Sequence, residues 1–268
     1  MDYLAINKQN WNDRTDVHYH SKTYDVASFI AGRNPLKTIE LALLGDIKGK
    51  KVLHLQCHFG QDTIALSRLG AEVTGVDFSE KAIEKARELA DLTQSDTRFI
   101  LSDIYSLPDV LNESFDIVFT SYGTIGWLPD IQRWAAVVGN FMRPGATFVF
   151  AEFHPVVWML SSDFQRIEYR YFTDAAIVEE SATTYTDGAL PQSSQSVGWN
   201  HGMAEVLQAL IDQGLTIKKV EEFDYSPYDC FDSTIEIETG KFQIKGLEGK
   251  IPMVYALKAI KHNLNANL

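Results

Sequence analysis

Between Lys51 and Glu152 short apolar runs alternate with stretches of helical periodicity, and no other feature of the chain narrows its fold so far. Strands separated by helices are joined by crossovers rather than tight hairpins, which builds a mainly parallel sheet with helices on both faces. The pattern predicts strands at Lys51 to Leu55, Glu72 to Val76, Arg98 to Leu101, Phe115 to Thr120 and Ala146 to Phe153. Helices are predicted from Asp62 to Leu69, from the capping Ser79 to Leu92, and from Asp130 to Phe141. Arg143-Pro144-Gly145 reads as a turn between the last of these helices and the fifth strand.

The rest of the chain reads as additions to this core within a single domain spanning residues 1–268. Residues 1–48 hold Trp11, Tyr19, Tyr24 and Phe29 without a strand signal, as a helical lid would. Residues 49–155 are the core. Residues 156–200 carry tyrosines, β-branched residues and turn-formers, as in a small antiparallel cap. Residues 201–268 give a helix from His201 to Gln213 and strands at Leu215 to Tyr225 and Met253 to Ile260. Between them, Ile235 to Glu238 and Phe242 to Lys245 form a hairpin about Thr239-Gly240.

Composition sets limits on function. The 268 residues are 45% hydrophobic and 22% charged, as in an ordinary globular protein. Net charge is −12 and no region is basic, which argues against DNA or RNA as a partner. No apolar run reaches the roughly 20 residues of a bilayer-spanning helix, and Met1-Asp2-Tyr3-Leu4 opens neither a basic start nor an apolar signal core, so the expected location is cytoplasmic. Two cysteines, Cys57 and Cys230, make neither a disulfide framework nor a metal site, and His18 and His20 read as a solvated pair.

Ligands of open parallel sheets bind beyond the carboxyl ends of the strands. The loop after the first strand is Gln56-Cys57-His58-Phe59-Gly60, and Asp77 ends the second strand, where a carboxylate can accept two hydrogen bonds from a ribose diol. The competing structural role for Asp77 is at the start of the helix after Ser79, and for Asp103 the capping of a turn. His54 reads as a buried, hydrogen-bonded histidine.

These residues carry a resemblance. Residues 51–153 resemble the cofactor domain of class I S-adenosylmethionine-dependent methyltransferases. Val52 to Gly60 is similar to that family's first motif, with His54 where an acidic residue is usual and Gln56 and His58 in place of glycines. Gly75-Val76-Asp77-Phe78-Ser79 resembles the ribose-binding strand end, which implies Asp77 on the ribose and Phe78 beside the adenine. Ser102-Asp103-Ile104 resembles the third-strand motif, implying that Asp103 accepts from the adenine amino group. Phe115 to Tyr122 resembles the fourth-strand motif, implying that Ser121 and Tyr122 face the methionine end. Arg143-Pro144-Gly145-Ala146 resembles the turn before strand five. A closer similarity, carried by His54 to Gly60, Trp127-Leu128-Pro129-Asp130, Glu152-Phe153-His154-Pro155 and Trp199-Asn200-His201-Gly202, is to bacterial methyltransferases of unassigned substrate.

The resemblance implies a doubly wound, Rossmann-like α/β sheet of seven strands, mostly parallel with an antiparallel last strand. It implies S-adenosyl-L-methionine as cofactor, bound by Gln56, Cys57, His58, Gly60, Asp77, Phe78, Ser102, Asp103, Ile104, Ser121 and Tyr122, and a small-molecule methyl acceptor. Tyr19, Trp127 and Trp199 are candidates for the acceptor pocket; aromatic faces such as Tyr19, Tyr122 and Trp199 suit a sulfonium or a cationic acceptor. His154 and His201 are the best-placed candidates for a base, although methyl transfer proceeds largely by positioning and needs no dedicated one. Two alternatives remain open: a protein that binds the cofactor without using it, and a nicotinamide-dependent oxidoreductase, whose glycine-rich signature is absent. The acceptor atom and the oligomeric state are not legible.

Overall fold

The structure, a computed structural model, describes residues 1–172 and 175–262. Three helices come first: α1 (Tyr3–Tyr19), α2 (Val26–Ile30) and α3 (Thr38–Leu44). The crossover region follows as β1 (Lys51–Leu55), α4 (Gln61–Arg68), β2 (Glu72–Asp77), α5 (Glu80–Leu92), β3 (Arg98–Leu101), α6 (Leu107–Val110), β4 (Phe115–Ser121), α7 (Ile131–Phe141) and β5 (Met142–Phe153). The remainder is β6 (Ile177–Thr183), β7 (Ala189–Gly198), α8 (Met203–Asp212), β8 (Leu215–Phe223), β9 (Thr234–Glu238), β10 (Lys241–Ile244) and β11 (Val254–Lys261).

Seven strands form one sheet in the order β3-β2-β1-β4-β5-β11-β8. The pairings from β3 to β5 are parallel, and β11 runs antiparallel to both β5 and β8. This is the expected Rossmann-like arrangement with an antiparallel last strand. Alternate residues of β1 enter opposite cores: Val52 packs with Ile64, Ile83 and Phe119 under α4 and α5, whereas Leu53 and Leu55 pack with Trp134, Phe148 and Leu210 under α7 and α8. Burial on both faces explains why the central strands read as nearly unbroken apolar runs.

β5 begins earlier than expected. Met142 pairs with Phe115 and the ladder resumes at Thr147 opposite Ile117, so Arg143-Pro144-Gly145 is a bulge inside the strand rather than a turn before it. The side chain of Asp116 anchors the distortion by accepting from the Lys51 amide at 2.8 Å and pairing with Arg143. The cap is the antiparallel pair of β6 and β7, and β9 with β10 is a separate hairpin.

Helix α1 packs on β7 and α5 through polar residues. Asn7 is buried, donates to the Val197 carbonyl and accepts from the Val197 amide, both at 2.8 Å. Asn10 donates to Ser194, and Asn12 accepts from the Ser79 hydroxyl at the start of α5. His18, read from sequence as one of a solvated pair, is fully buried; its neighbour His20 is exposed. Among the described residues no helix is long and apolar enough to cross a membrane.

Gly60 turns the chain from β1 into α4 at φ +77°, and a Cβ there would stand 2.6 Å from the Phe99 ring. Gly214 has φ +76° with open space around it. Gly60→Ala is therefore expected to cost about 2–4 kcal/mol and Gly214→Ala only about 1 kcal/mol, compared by urea unfolding. Equal costs would show that the Phe99 contact is easily relieved.

Candidate functional site

The carboxyl ends of β1 to β5 open into a cavity of about 950 Å³, near the top of the range of roughly 300–1,000 Å³ for small-molecule sites. Its walls come from strand-end loops, from α1 and the segment after α2, and from the cap.

One side is set by the loop after β1. Gln56, His58 and Gly60 have φ of +56°, +50° and +77°, so the loop keeps a left-handed backbone at three alternate positions although two of them carry side chains. That conformation is unfavourable for residues other than glycine, and the side chains supply compensating contacts. Gln56 Nε2 donates to the Thr124 carbonyl at 2.8 Å. His58 Nε2 lies 3.0 Å from His18 Nδ1, whose other nitrogen meets the Thr184 hydroxyl. Burial pushes His58 down to about 3 and His18 lower still, so both rings are neutral. Gln56 Oε1 and His58 Nδ1 are buried with no partner among the described residues. Cys57 lies beneath this loop, its thiol pushed well up by burial.

Asp77 joins that loop to the next. Its two carboxylate oxygens accept one amide each, from His58 at 2.8 Å and from Ser79 at 2.9 Å. Burial raises the carboxyl to about 6 against the lowering effect of those amides. Asp103, one strand further out, accepts from the amides of Tyr105 and Ser106 through Oδ1, so the capping role is filled while Oδ2 takes no hydrogen bond among the described residues. Phe78, Ser102 and Ile104 line the cavity beside these two acids.

The opposite side is the loop after β4. Glu152, 2% exposed at the end of β5, accepts from the amides of Gly123, Thr124 and Ile125, from the Thr124 hydroxyl and from the Phe153 amide. Burial raises this carboxyl and the amides oppose the rise. Ser121 and Tyr122 line the cavity here, and Tyr122 donates to Glu40 at 2.8 Å.

Of the acceptor-pocket candidates, Trp127 and Trp199 line the cavity and Tyr19 does not. Tyr19 packs edge-on against Phe59 at the far end of α1, with Lys85 over its ring, which corrects its expected place. His154 is also outside the lining; it is buried behind the wall, 3.0 Å from Glu222, and burial lowers it. His201 lines the cavity, but Nε2 meets the Leu128 carbonyl at 2.7 Å and Nδ1 faces Glu205. His54 is buried against Thr63, driven down to about 3 by burial.

The sequence pattern marked a helical lid in residues 1–48 but missed Arg14 of α1. Arg14 lines the cavity with its guanidinium 5.7 Å from the ring centres of both Trp11 and Trp127. Burial lowers it while Tyr185, Tyr24 and, more weakly, Glu179 oppose the fall; its Nε has no partner, and no carboxylate lies within salt-bridge distance among the described residues. A buried cation without a counter-ion marks a place for an anionic group of a ligand.

Residues 52–145 match the family described as a methyltransferase domain. The chain is 32% identical over 118 residues, 44% of its own length and 50% of the relative's, to a ubiquinone biosynthesis O-methyltransferase of Coxiella burnetii. It is 28% identical over 146 residues, 50% of its length and 57% of the relative's, to an uncharacterized protein of Haemophilus influenzae. It thus spans little more than half the length of these curated relatives. Among solved structures, an S-adenosylmethionine-dependent methyltransferase from Mesorhizobium loti superposes with a TM-score of 0.57 at 22% identity, covering 87% of this chain and 100% of that one. The likeness shows a shared fold.

Glu152 makes the loop after β4 testable. Glu152→Gln places an amide NH₂ among N–H donors and is expected to lower stability by about 2–4 kcal/mol in urea unfolding. A change under about 0.5 kcal/mol would mean that the loop holds its shape without the charge.

Proposed function

We propose that this chain transfers the methyl group of S-adenosylmethionine to a small-molecule acceptor. The observation that carries the proposal is the placing of Asp77 and Asp103 at neighbouring strand ends in one cavity, which continues into an aromatic chamber under α1 and the cap. Each Asp77 oxygen already holds one amide and keeps a lone pair for a ribose hydroxyl. Asp103 Oδ2 is the acceptor for an adenine amino group, with Phe78 and Ile104 flanking the base. Ser102 holds the end of β3 against β2, donating its amide to the Asp77 carbonyl. Arg14 answers the carboxylate of the amino-acid portion, and the unpartnered Gln56 Oε1 and His58 Nδ1 suit its ammonium.

The cofactor, when bound, supplies an electrophilic methyl on a sulfonium. The task left to the chain is to hold that group in line with a nucleophile and to keep water out. Trp11, Trp127, Tyr122 and Trp199 present aromatic surface to a cation in this space. The chamber beyond the loop of residues 56–60 offers room for an acceptor, which supports transfer over mere binding. A nicotinamide cofactor is disfavoured because the Gln56 and His58 side chains occupy the loop where paired glycines let a pyrophosphate approach. Net acidity disfavours a nucleic-acid acceptor.

Calorimetric titration with S-adenosylmethionine, S-adenosylhomocysteine and NAD in parallel tests the reading: the first two bind and NAD does not. Binding of NAD alone overturns it. Asp77→Asn, which keeps one acceptor oxygen for the loop amides, is expected to weaken cofactor affinity by about tenfold or more. A second expectation concerns pH. The raised Asp77 carboxyl makes the empty protein lose stability as pH rises through about 6, because the folded state prefers the protonated form. Binding to the ribose requires the ionised form, so affinity is expected to be level above about pH 7 and to fall by up to about tenfold per unit below 6. A flat profile down to pH 5 would remove Asp77 from the ribose.

A further inference from the structure

Asp62 stands in the first turn of α4, two residues beyond Gly60, and its side chain lines the same cavity. Around it are Glu40 of α3, Lys37 and Arg33 from the segments before α3, Tyr24, Tyr122 at the end of β4, and Tyr228. The hydrogen bonds these groups give to a carboxylate go to Glu40 rather than to Asp62. Glu40 accepts from the Lys37 amide and from the Tyr122 hydroxyl, so its oxygens are engaged. Tyr122 and Tyr228 meet edge to face at 5.1 Å, and Lys37 Nζ lies 4.5 Å from the Tyr228 ring centre rather than on a carboxylate. Asp62 by contrast takes no hydrogen bond and forms no ion pair among the described residues. A carboxyl group sunk in a cavity wall without donors is costly unless a ligand supplies them.

We propose that Asp62 is the proton acceptor of this enzyme: its carboxylate receives the proton from an acceptor that presents an O–H or N–H group to the methyl. The proposal rests on the methyltransferase reading, in which residues 56–60 and Tyr122 would hold the cofactor's methionine end. In the step, a lone pair of the acceptor heteroatom forms the bond to the methyl carbon as the carbon–sulfur bond breaks. Its electron pair stays on sulfur as a neutral thioether. The proton released from the heteroatom goes to Asp62 and then to solvent, so charge and atoms balance. Burial and the nearby Glu40 push the Asp62 carboxyl up to about 7, which suits it to take up and release a proton near neutrality.

The test needs no acceptor. Sinefungin carries an amine on carbon where the cofactor carries its methyl on sulfur, so its ammonium probes the point at which the methyl is delivered. The wild-type chain is expected to bind sinefungin about tenfold or more tightly than S-adenosylhomocysteine, as a charge-assisted hydrogen bond to Asp62 implies. Asp62→Asn should abolish that preference and leave the affinity for S-adenosylhomocysteine unchanged, the second value showing that the fold and the rest of the site are intact. The ratio of the two affinities in the wild type supplies a check free of any variant. Asp77 touches both ligands alike and cancels, so the ratio should fall below about pH 7 as Asp62 takes up a proton, with Glu40, Lys37, Arg33, Tyr24, Tyr122, Tyr228 and the Cys57 thiol the other groups facing it. No preference for sinefungin, a preference that survives Asp62→Asn, or a ratio flat between pH 5.5 and 8.5 would overturn the assignment. Failure of both ligands to bind would overturn the methyltransferase reading itself.

Discussion

A carboxylate deep in a protein is tolerable only where donors replace the water it has lost. Glu152 meets that condition with backbone amides from the loop after β4, and in doing so it dictates the path of that loop. Asp77 does the same for the loop after β1. The symmetry has a topological meaning. β1 and β4 are the adjacent inner strands whose connections part to opposite sides, and Asp77 and Glu152 lie on the strands just outside them, β2 and β5. Each outer strand holds the loop of its inner neighbour, and both loops line the cavity at this switch point.

The loop after β1 shows how a left-handed backbone can be held at positions that carry side chains. Gln56 and His58 adopt the left-handed backbone, and the contacts of their side chains offset the local cost. Gln56 ties this loop to Thr124, and so to the loop that Glu152 organises. His58 ties it to α1. The two side chains therefore link three parts of the site.

The sheet was legible because its signal is periodic and local. Both faces are buried, so the strands show apolar runs, and Ser79 and Asp130 mark helix starts with side chains that accept from the amides of Ala82 and Arg133. The placing of Asp77 and Asp103 at strand ends was legible for the same reason, since such a position follows from the strands. What was not legible depends on partners distant in sequence. Glu152 finds its amides about thirty residues earlier in the chain. Helix α1 buries Asn7, Asn10, Thr15 and His18, so no apolar stripe announces which face lies inward. Tyr19 was misplaced and Arg14 overlooked for that one cause. Asp62 was hidden differently: nothing near it in sequence tells that α3 and Tyr228 enclose it.

The polar underside of α1 has one more effect. Val197 faces Val178 across the cap hairpin, yet its N–H and C=O go to the Asn7 amide, so they point away from β6 toward the open side of β7. A two-stranded ribbon presents such groups as a template for intermolecular strand addition. Here a side-chain amide stands in at that position for the missing third strand, and a helix shields from self-association a sheet edge that it does not belong to.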